Sequence, residues 1–542
     1  MEGSEMITQT AILGLWLLSL LKSTLFHAYL WQLKEYRFDR MIPHLKLKTS
    51  RKMFFSPLFL VKWLSLIAFL IMPMELKNWL AFVVLIFFLI DSFDFLRRIL
   101  IHQLVRPRFT LRTIEIVSSS LFLIVIAIWL FVSQLNLWTF AFCLLLFERL
   151  IPIAILLQVF LTKLPVFLTQ KRKIKIAKEK IEDLPNLKIV GVTGSYGKTS
   201  TKDFIAQILA KKYKVAKTEG TNNTKIGISQ NIIEKIDKDT EIFVVEMGAY
   251  KKGEINDICQ LIQPRMAVVT GINEQHLAIF GSLKNLIEAK YEIIENLPKN
   301  GIAILNGNNH YCLEMAKKAS KNFKTILYKT SKPRKLTGFA NVIWLDSITE
   351  KQKGTSFKVY DGDRHSSFKT NFKGESNLDN LLGAIAVAKE LGLTGIQIKE
   401  AINQLQPNDR AMKSTQGIKK MTLIDDTFSS NPNGFLAAIK VLDKVKSKTK
   451  VVITPGIIEL GSASARVHQE IAQALREKID LIILTNDNFL ADFKKGMGKS
   501  KTRLIVENKP KKIRGILSQE SPKITVLLEG RLPINLIQTL KQ

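Results

Sequence analysis

A glycine-rich segment in the middle of the chain constrains the fold more than any other feature. The largely apolar run Leu187–Val192 leads into a turn that ends in Gly197-Lys198-Thr199, and a segment with helical periodicity follows. A strand, a glycine-rich loop and a helix in this order direct backbone N–H groups toward an anion. The lysine can reach the phosphates of a nucleotide, and the next hydroxyl can bind Mg²⁺. The segment therefore predicts a nucleotide site, although Val192 lies where the usual motif has its first glycine.

The first third of the chain contains five apolar segments, each close to the ~20 helical residues that cross a bilayer. These segments are Ile7–Leu30, Phe54–Met74, Trp79–Phe95, Ile114–Leu135 and Leu137–Phe160. Lys and Arg are concentrated after the first, third and fifth segments. The positive-inside rule then places the N-terminus outside and the remaining chain in the cytoplasm. We predict a transmembrane helical domain over residues 1–165 and a multi-pass protein of the inner or plasma membrane.

The charge of the chain points to a membrane rather than to nucleic acid. The formal net charge is +32, which suits either anionic partner. Much of the Lys and Arg flanks the apolar segments, and no clustered nucleic-acid motif is present, so we expect contact with membrane lipid and none with nucleic acid. Residues 166–185 are interpreted as a basic juxtamembrane linker, helical over Lys171–Lys180. The three cysteines are scattered, which is typical of a reducing compartment.

From Asn186 the pattern changes to alternating strands and helices, which predicts an α/β fold. We predict a central ATP-binding domain over residues 186–406 and a Rossmann-like domain over residues 407–542. The predicted strands of the central domain are Leu187–Thr193, Glu241–Met247, Met266–Ile272 and Gly301–Asn306, with an antiparallel patch at Val342–Leu345, Ser356–Tyr360 and Ser366–Phe372. Those of the last domain are Thr422–Asp425, Lys450–Thr454, Leu481–Leu484, Arg503–Val506 and Thr525–Leu528.

Several polar side chains stand out against these elements. Glu246 and His276 follow predicted strands, at the edge where α/β folds bind ligands. The glutamate suits Mg²⁺, whereas a lone histidine is as well explained by a structural hydrogen bond as by a ligand. Lys290 has the pattern of a solvated helix lysine. Glu148 and Arg149 lie in an apolar segment, where partners inside the bundle are favoured over contact with a lipid-linked substrate.

Seven co-linear motifs carry a resemblance to a known family. They are Gly191–Thr201 (GVTGSYGKTST), Thr218–Ile228 (TEGTNNTKIGI), Val244–Ile255 (VVEMGAYKKGEI), His276–Glu292 (HLAIFGSLKNLIEAKYE), Asn377–Gly392, Ile424–Pro432 (IDDTFSSNP) and Glu459-Leu-Gly461 followed by His468. In this order and form they resemble the Mur ligase family, the ATP-dependent ligases of peptidoglycan precursors, and most of all its MurF members. The resemblance covers about two thirds of the chain and implies a P-loop central domain with a Rossmann-like C-terminal domain.

The resemblance implies roles for residues at matching positions. Lys198 would stabilise the β- and γ-phosphates of ATP, Thr199 and Glu246 would hold its Mg²⁺, and His276 would bind a second Mg²⁺. Lys290 matches a lysine that is carbamylated in several members and then ligates metal, and Asn223 would lie near the transferred phosphoryl group. The implied nucleotide contacts are Gly194, Gly197, Lys198, Thr199 and Ser200 in the loop, Asn377 and Asn380 at the adenine, and Arg410 and Asp426 near the ribose and phosphates.

The implied activity is an ATP-dependent peptide ligase that activates a muropeptide carboxylate as an acyl phosphate. The amine would be D-Ala-D-Ala or another amino acid or dipeptide, but Glu529-Gly-Arg531 replaces the Lys-Gly-Ser of MurF and leaves the amine open. The apolar segments occupy the place of the UDP-binding domain, so either the precursor is lipid-linked or its nucleotide part is not recognised. Wall-synthesis proteins are further candidate partners. The alternative is a catalytically degenerate nucleotide-binding scaffold or regulator of wall synthesis, and an ATP-driven transporter is a third, weaker hypothesis.

Overall fold

The computed structural model describes the chain apart from residues 1, 39–40, 43–56, 102, 132–135, 221, 334–338, 340, 352–353, 373, 407–411, 428–429, 521–522 and 542. The described residues form two compact units, residues 1–169 and residues 170–542. The boundary between the units falls inside the predicted basic linker. The further division of the second unit at residue 406 stays a prediction.

The described part of the first unit is built from α-helices. They are α1 (Glu2–Leu33), α2 (Pro57–Ile71), α3 (Met74–Leu100), α4 (Leu111–Phe131) and α5 (Leu137–Leu161), followed by α6 (Lys163–Glu182). Each predicted apolar segment overlaps one of the first five helices. Among the described residues, three stretches are long and apolar enough to cross a membrane, namely Gln9–Leu33, Met74–Leu100 and Leu137–Glu182. The number of five spans therefore stays a prediction.

The first unit buries charged side chains between its helices. Lys62 and Glu148 are 1% and 2% exposed, and Lys62 Nζ donates to Glu148 Oε1 at 2.9 Å and also to Asp91. Arg149 donates to Glu148 at 2.7 Å, and Lys22 donates to Asp91 at 2.9 Å. Removing charges from water is costly unless they are paired in this way. The contacts match the structural interpretation of Glu148 and Arg149, and none of them requires a substrate.

The second unit begins with a nine-stranded sheet. Its strands are β1 (Lys188–Thr193), β2 (Val215–Lys217), β3 (Ile242–Glu246), β4 (Met266–Val269), β5 (Ile302–Asn306), β6 (Lys324–Lys329), β7 (Asn341–Lys351), β8 (Gly354–Asp361) and β9 (Arg364–Thr370). The strand order is β2-β3-β1-β4-β5-β6-β7-β8-β9. Neighbours are parallel from β2 to β7, and the β7–β8 and β8–β9 pairs are antiparallel.

Helices cover both faces of this sheet. They are α7 (Lys198–Leu209), α8 (Lys225–Lys235), α9 (Glu254–Ile262), α10 (Leu277–Phe280), α11 (Leu283–Glu295), α12 (His310–Ala319), α13 (Glu375–Glu390) and α14 (Gly395–Gln404). One apolar cluster includes Phe204 of α7 and Leu381 of α13, and a second includes Ile258 of α9 and Ile293 of α11. Burial of apolar surface on both faces is what a mostly parallel sheet requires. The carboxyl ends of β1, β3, β4 and β5 consequently meet at one edge.

A six-stranded sheet forms the C-terminal part of the second unit. Its strands are β10 (Lys413–Gln416), β11 (Thr422–Asp426), β12 (Thr449–Thr454), β13 (Leu481–Leu484), β14 (Arg503–Val506) and β15 (Ile524–Glu529), in the order β10-β11-β15-β12-β13-β14. Its helices are α15 (Pro432–Lys444), α16 (Ser464–Leu475), α17 (Leu490–Met497), α18 (Pro510–Gln519) and α19 (Ile534–Lys541). Every strand predicted from the sequence is present in the two sheets, and β2, β6 and β10 are additional.

Candidate active site

The phosphate loop, residues Gly194–Gly197, connects the end of β1 to the start of α7. Gly194 and Gly197 have φ angles of +148° and +77°, which glycine adopts far more readily than other residues. A Cβ atom on Gly194 would lie 2.2 Å from Thr270 Oγ1, and one on Gly197 would lie 2.3 Å from Asn380 Oδ1. Both glycines are therefore required by conformation and by space, and the loop is held against β4 and α13.

Lys198 is the first residue of α7 and lies over the phosphate loop. Its Nζ donates to the carbonyl oxygens of Gly194 at 2.9 Å and Ser195 at 3.2 Å. Burial lowers the pKa of the Lys198 ammonium, and the charge of Glu246 opposes that shift. Thr199 and Ser200 follow in the first turn of α7, where backbone N–H groups have no partner within the helix. The loop and helix start thus present donors and a cation to an anion.

Glu246 is the last residue of β3 and is 2% exposed. Asn223 Nδ2 donates to Glu246 Oε1 at 3.0 Å, and Lys202 Nζ lies 3.7 Å from Glu246 Oε2. Within the described part of the chain, Oε2 accepts no hydrogen bond although it is buried. A buried carboxylate oxygen without a hydrogen-bond donor is rare in proteins, and such an oxygen is available to a cation. The side chain therefore fits a Mg²⁺ ligand.

His276 directly precedes α10 and contacts the C-terminal part of the unit. Its Nδ1 lies 2.6 Å from Oε2 of Glu459, which is in the segment between β12 and α16. Burial lowers the pKa of His276, and Glu459 acts in the opposite direction. A lowered pKa favours the neutral imidazole, which is the form that ligates metal ions. The histidine therefore makes a hydrogen bond and also has the form of a metal ligand. These are the two roles that the sequence left open, and they are compatible.

Lys290 lies in the middle of α11 and is 4% exposed, unlike the solvated lysine that its pattern suggests. Its Nζ donates to the carbonyl oxygen of Ala249 at 3.5 Å. Burial and, to a smaller extent, the neighbouring charge of Lys198 lower the pKa of Lys290 to about 7. A large fraction of the amine is consequently neutral near pH 7. A neutral amine is a nucleophile, whereas an ammonium group is not.

The residues that the sequence singled out for chemistry converge on one cleft. It is lined by Gly194, Ser195, Lys198, Asn223, Gly248, Ala249, Tyr250, Gln275, His276, Phe280 and Lys290. Glu246 joins this group through its hydrogen bond to Asn223. No set of three or more His, Cys, Asp and Glu side chains within the described ranges is arranged to hold a metal ion. A metal at this cleft would accordingly need the hydroxyl of Thr199 or a modified Lys290 beside Glu246 and His276.

The predicted adenine contacts, Asn377 and Asn380, are not among the residues that line the cleft. Asn380 is 9% exposed, and its Oδ1 accepts from Thr201 Oγ1 at 3.2 Å. This contact and the close approach to Gly197 make Asn380 a support of the loop. Asn377 lies one turn earlier on α13 and is half-buried. Arg410, predicted to lie near the ribose and phosphates, is outside the described residues.

Asp426 belongs to a buried pair of acids in the C-terminal sheet and does not line the cleft. It ends β11 beside Glu529, the last residue of β15, in the parallel register of the two strands. Glu529 is fully buried, and in the described part of the chain neither of its carboxylate oxygens accepts a hydrogen bond. Burial raises the pKa of Asp426 to about 6, and burial together with Asp426 raises the pKa of Glu529 well above its usual range. The pair therefore retains a proton at neutral pH.

Glu529→Gln is expected to stabilise the folded protein at pH 8 by about 1 kcal/mol or more and to have little effect at pH 5. A raised pKa in the folded state means that folding takes up protons, so wild-type stability falls as pH rises from about 4 through the folded-state pKa values. The substitution removes one titrating acid and flattens this decline. Thermal unfolding of the full-length protein at the two pH values measures the effect, with the exposed Glu400→Gln as control. An identical pH dependence in Glu529→Gln and wild type would contradict the assignment.

Two charged residues at the site have no functional role in the sequence-based predictions. Lys202 is 1% exposed and lies beside Glu246, but in the sequence it has the pattern of an ordinary helix lysine. Glu459 contacts His276 although the two residues are 183 positions apart in the sequence. A single sequence does not indicate which residues at such a separation are in contact. The motif Glu459-Leu-Gly461 is itself an available signal, because an acidic residue before a glycine in a turn after a strand lies at the ligand-binding edge.

Family comparisons match the second unit of the chain. Residues 192–388 match the Mur ligase middle domain, and residues 412–532 match the Mur ligase glutamate ligase domain. Two curated relatives are the UDP-N-acetylmuramoyl-tripeptide–D-alanyl-D-alanine ligases of Bacillus subtilis, 28% identical over 310 residues, and Haemophilus influenzae, 30% identical over 302 residues. The matches cover 57% and 55% of this chain and 64% and 63% of those relatives. The chain thus spans less than two thirds of their lengths.

Solved structures give the same result for the fold. A MurF crystal structure from Acinetobacter baumannii has a TM-score of 0.61 at 24% identity and covers 69% of this chain and 80% of its own. The MurF ligase of Thermotoga maritima in complex with ADP has a TM-score of 0.58 at 24% identity, with 68% and 82% covered. At these identities the similarity shows a Mur ligase fold with α/β central and C-terminal domains. Because the two family models together also cover more than half of its length, the chain belongs to the Mur ligase family.

Proposed function

We propose that the chain is a MurF-like, ATP-dependent amide ligase that acts on a cell-wall peptide precursor. The observation that carries this proposal is the convergence of Lys198, Asn223, His276 and Lys290 on one cleft, with Glu246 hydrogen-bonded to Asn223. These residues come from five separate segments of the chain, and a scaffold without catalysis would not need them together. The names of the curated relatives supply the reaction class, which is the joining of a muramoyl-tripeptide to D-alanyl-D-alanine.

In the first step of the proposed reaction, a carboxylate oxygen of the precursor attacks the γ-phosphorus of ATP and ADP leaves. The product is an acyl phosphate, which has a far better leaving group than a carboxylate. Two anions approach each other in this step, so cations must neutralise them. Lys198 supplies a positive charge beside the loop N–H groups, and Asn223 is placed to donate a hydrogen bond to the transferred phosphoryl group.

Divalent metal fits the donors of this cleft. Glu246 Oε2 is a buried oxygen without a hydrogen-bond partner in the described chain, and the neutral form of His276 is favoured. When bound, Mg²⁺ supplies charge neutralisation between the phosphates and the carboxylate. We assign one ion to Thr199 and Glu246 and a second to His276 and Lys290. His276 and Lys290 are separated in the sequence but line the same cleft.

Lys290 would contribute to that second ion as a carbamate. The neutral amine attacks CO₂, a C–N bond forms, and one proton is released, so the side chain becomes an anion with two oxygen donors. Near-complete burial and a pKa of about 7 provide the neutral amine that this reaction needs. The cleft also places Lys198 nearby, whose positive charge stabilises an anion at this position.

In the second step the amine nitrogen of the amino acid or dipeptide attacks the acyl carbon, phosphate leaves, and the nitrogen loses a proton. Water competes for the acyl phosphate, so the cleft must exclude it. Contacts beside the cleft join the parts of the second unit that are built on the two sheets. Asn273 Nδ2 donates to Asn433 Oδ1 at 2.8 Å and to Asn431 Oδ1 at 3.3 Å, and Arg466 pairs with Glu274.

We further propose that the apolar helices anchor the chain in the cell membrane, with the N-terminus outside and the second unit in the cytoplasm. The alternation of Lys and Arg between the apolar segments supports this orientation, and α6 presents exposed lysines such as Lys175 and Lys178 that suit anionic lipid headgroups. A ligase held at a membrane has local access to a lipid-linked precursor. Wall-synthesis proteins in the same membrane are the expected protein partners.

The test is an assay of the purified full-length protein with Mg²⁺ and ATP. Lipid-linked and UDP-linked muramoyl-tripeptides serve as acceptors, and D-Ala-D-Ala and single amino acids serve as amines. We expect ADP release only when an acceptor and an amine are both present, with a faster rate for the lipid-linked acceptor. ADP release that is independent of acceptor and amine, or no release with every pair while ATP still binds, would contradict the proposal.

A further inference from the structure

The contact between His276 and Glu459 involves unusual backbone conformations on both sides. His276 has a φ of 65° and Glu459 a φ of 67°, and neither residue is glycine. Residues with side chains rarely adopt this left-handed region unless their surroundings hold them there, and such residues are concentrated at functional sites. Here each residue faces the other across the junction between the parts built on the two sheets. Backbone strain on both sides of one hydrogen bond indicates that the geometry of this bond matters.

The backbones around this pair are also in direct contact. Ala278 N, in α10, donates to the carbonyl oxygen of Glu459 at 3.0 Å. A Cβ atom on Gly461 would lie 3.1 Å from Ala278 Cα, so a larger residue there would push the two segments a few tenths of an ångström apart. The backbone of Glu459 is thereby held close to α10. His276, which directly precedes α10, cannot move far from Glu459 while this contact is intact.

The side-chain contact leaves one nitrogen of the imidazole available. Glu459 occupies Nδ1 at 2.6 Å, and the hydrogen bonds found among the described residues include none to His276 Nε2. A carboxylate at Nδ1 fixes the proton there, orients the ring and makes the other nitrogen a better metal ligand. The ring itself lines the cleft with Lys198 and Lys290.

We propose that Glu459 is a positioning residue that holds His276 Nε2 toward the cleft as a metal ligand. The inference rests on the proposed function, because it assigns a metal ion to His276. Glu459 belongs to the part of the unit built on the C-terminal sheet, whereas His276, Lys198 and Lys290 belong to the part built on the central sheet. The metal site is therefore complete only when the C-terminal part is docked, and metal binding and docking favour each other.

The test measures metal binding directly, without turnover. Mn²⁺ is titrated into the full-length protein with ADP, and free Mn²⁺ is followed by electron paramagnetic resonance. We expect Glu459→Ala to weaken Mn²⁺ binding about 10- to 100-fold, the usual effect of removing a partner of a metal ligand. Glu459→Gln keeps an acceptor oxygen for Nδ1–H and should lose less. Arg466→Ala is the matched control, because it removes the ion pair to Glu274 across the same junction without touching His276.

Each outcome separates positioning from simple docking. Weakening of Mn²⁺ binding by Glu459→Ala that clearly exceeds any weakening by Arg466→Ala supports the proposal, provided that thermal unfolding shows both variants folded. Equal weakening in the two variants would mean that Glu459 acts only as a docking contact, which overturns it. Unchanged Mn²⁺ binding in Glu459→Ala overturns it as well. Failure of the wild-type protein to bind Mn²⁺ with ADP would instead remove the metal site of the proposed function, and the inference with it.

Discussion

Lys290→Ala is expected to lower the rate of amide-bond formation at least about a hundredfold, the scale of removing one group that stabilises transition-state charge. Lys290 is almost fully buried and lines the cleft. Within the described chain it forms no ion pair shorter than 4 Å, so a structural salt bridge does not explain why a lysine is buried here. The loss should fall on the turnover rate more than on the Michaelis constant for ATP, since Lys198 and the phosphate loop remain. Steady-state kinetics with varied ATP measures both. The matched control is Lys284→Ala on the same helix, whose side chain is 83% exposed, and its rate should stay close to wild type.

Chemical rescue of Lys290→Ala distinguishes the two possible charges of this group. If Lys290 acts as a carbamate, acetate or propionate should restore part of the activity, because a small carboxylate can occupy the vacated volume and ligate metal. If it acts as an ammonium, short alkylamines should rescue instead. Bicarbonate should also stimulate wild-type enzyme depleted of CO₂ and leave Lys290→Ala unchanged. Rescue by amines alone would contradict the carbamate assignment while leaving the ligase proposal intact.

The sequence predicted the strands of the second unit well because they are short, apolar and bounded by polar turns. β3 and β4 are almost wholly buried, and their runs of Val, Ile, Met and Phe carry the signal of a strand covered on both faces. The strand β2 has three residues, Val215-Ala-Lys217, with no apolar run or alternation to detect. The strand β6 has a strand-like run of four buried residues, Thr325–Tyr328, between Lys324 and Lys329, and it is not among the strands predicted from the sequence.

Apart from the roles implied by the family resemblance, the site was predictable only where its chemistry is carried by a local motif. The phosphate loop needs glycines at two fixed positions, and Lys198 follows directly, so a short segment contains the signal. Lys290 and Lys202 show the limit, since their burial depends on which helix face meets the sheet and which charges lie opposite. The partner of His276 is Glu459, which follows β12 of the other sheet and is brought to His276 by tertiary docking alone. Local sequence thus predicts the nucleotide loop, whereas the shared position of the distant residues requires the fold.

Lys198→Ala is expected to reduce the overall ligase rate about a thousandfold or more, a larger effect than the one expected for Lys290→Ala. Its ammonium is held by the carbonyl oxygens of Gly194 and Ser195 directly above the loop that receives the phosphates. In the proposed first step, alanine would remove the charge that neutralises the γ-phosphoryl group. Lys198→Arg keeps a charge but carries a larger planar group. It should recover little, because those two carbonyl oxygens fit a compact ammonium.

The first step can be isolated by trapping, which assigns the loss to phosphoryl transfer. Hydroxylamine replaces the amine and converts an acyl phosphate into a stable hydroxamate with release of phosphate. Wild-type protein with acceptor and ATP should form hydroxamate without any amino acid, and Lys198→Ala should form almost none. The control Lys211→Ala changes an exposed lysine just beyond the other end of α7 and should behave as wild type. Hydroxamate formation at the wild-type rate by Lys198→Ala would mean that Lys198 does not serve phosphoryl transfer.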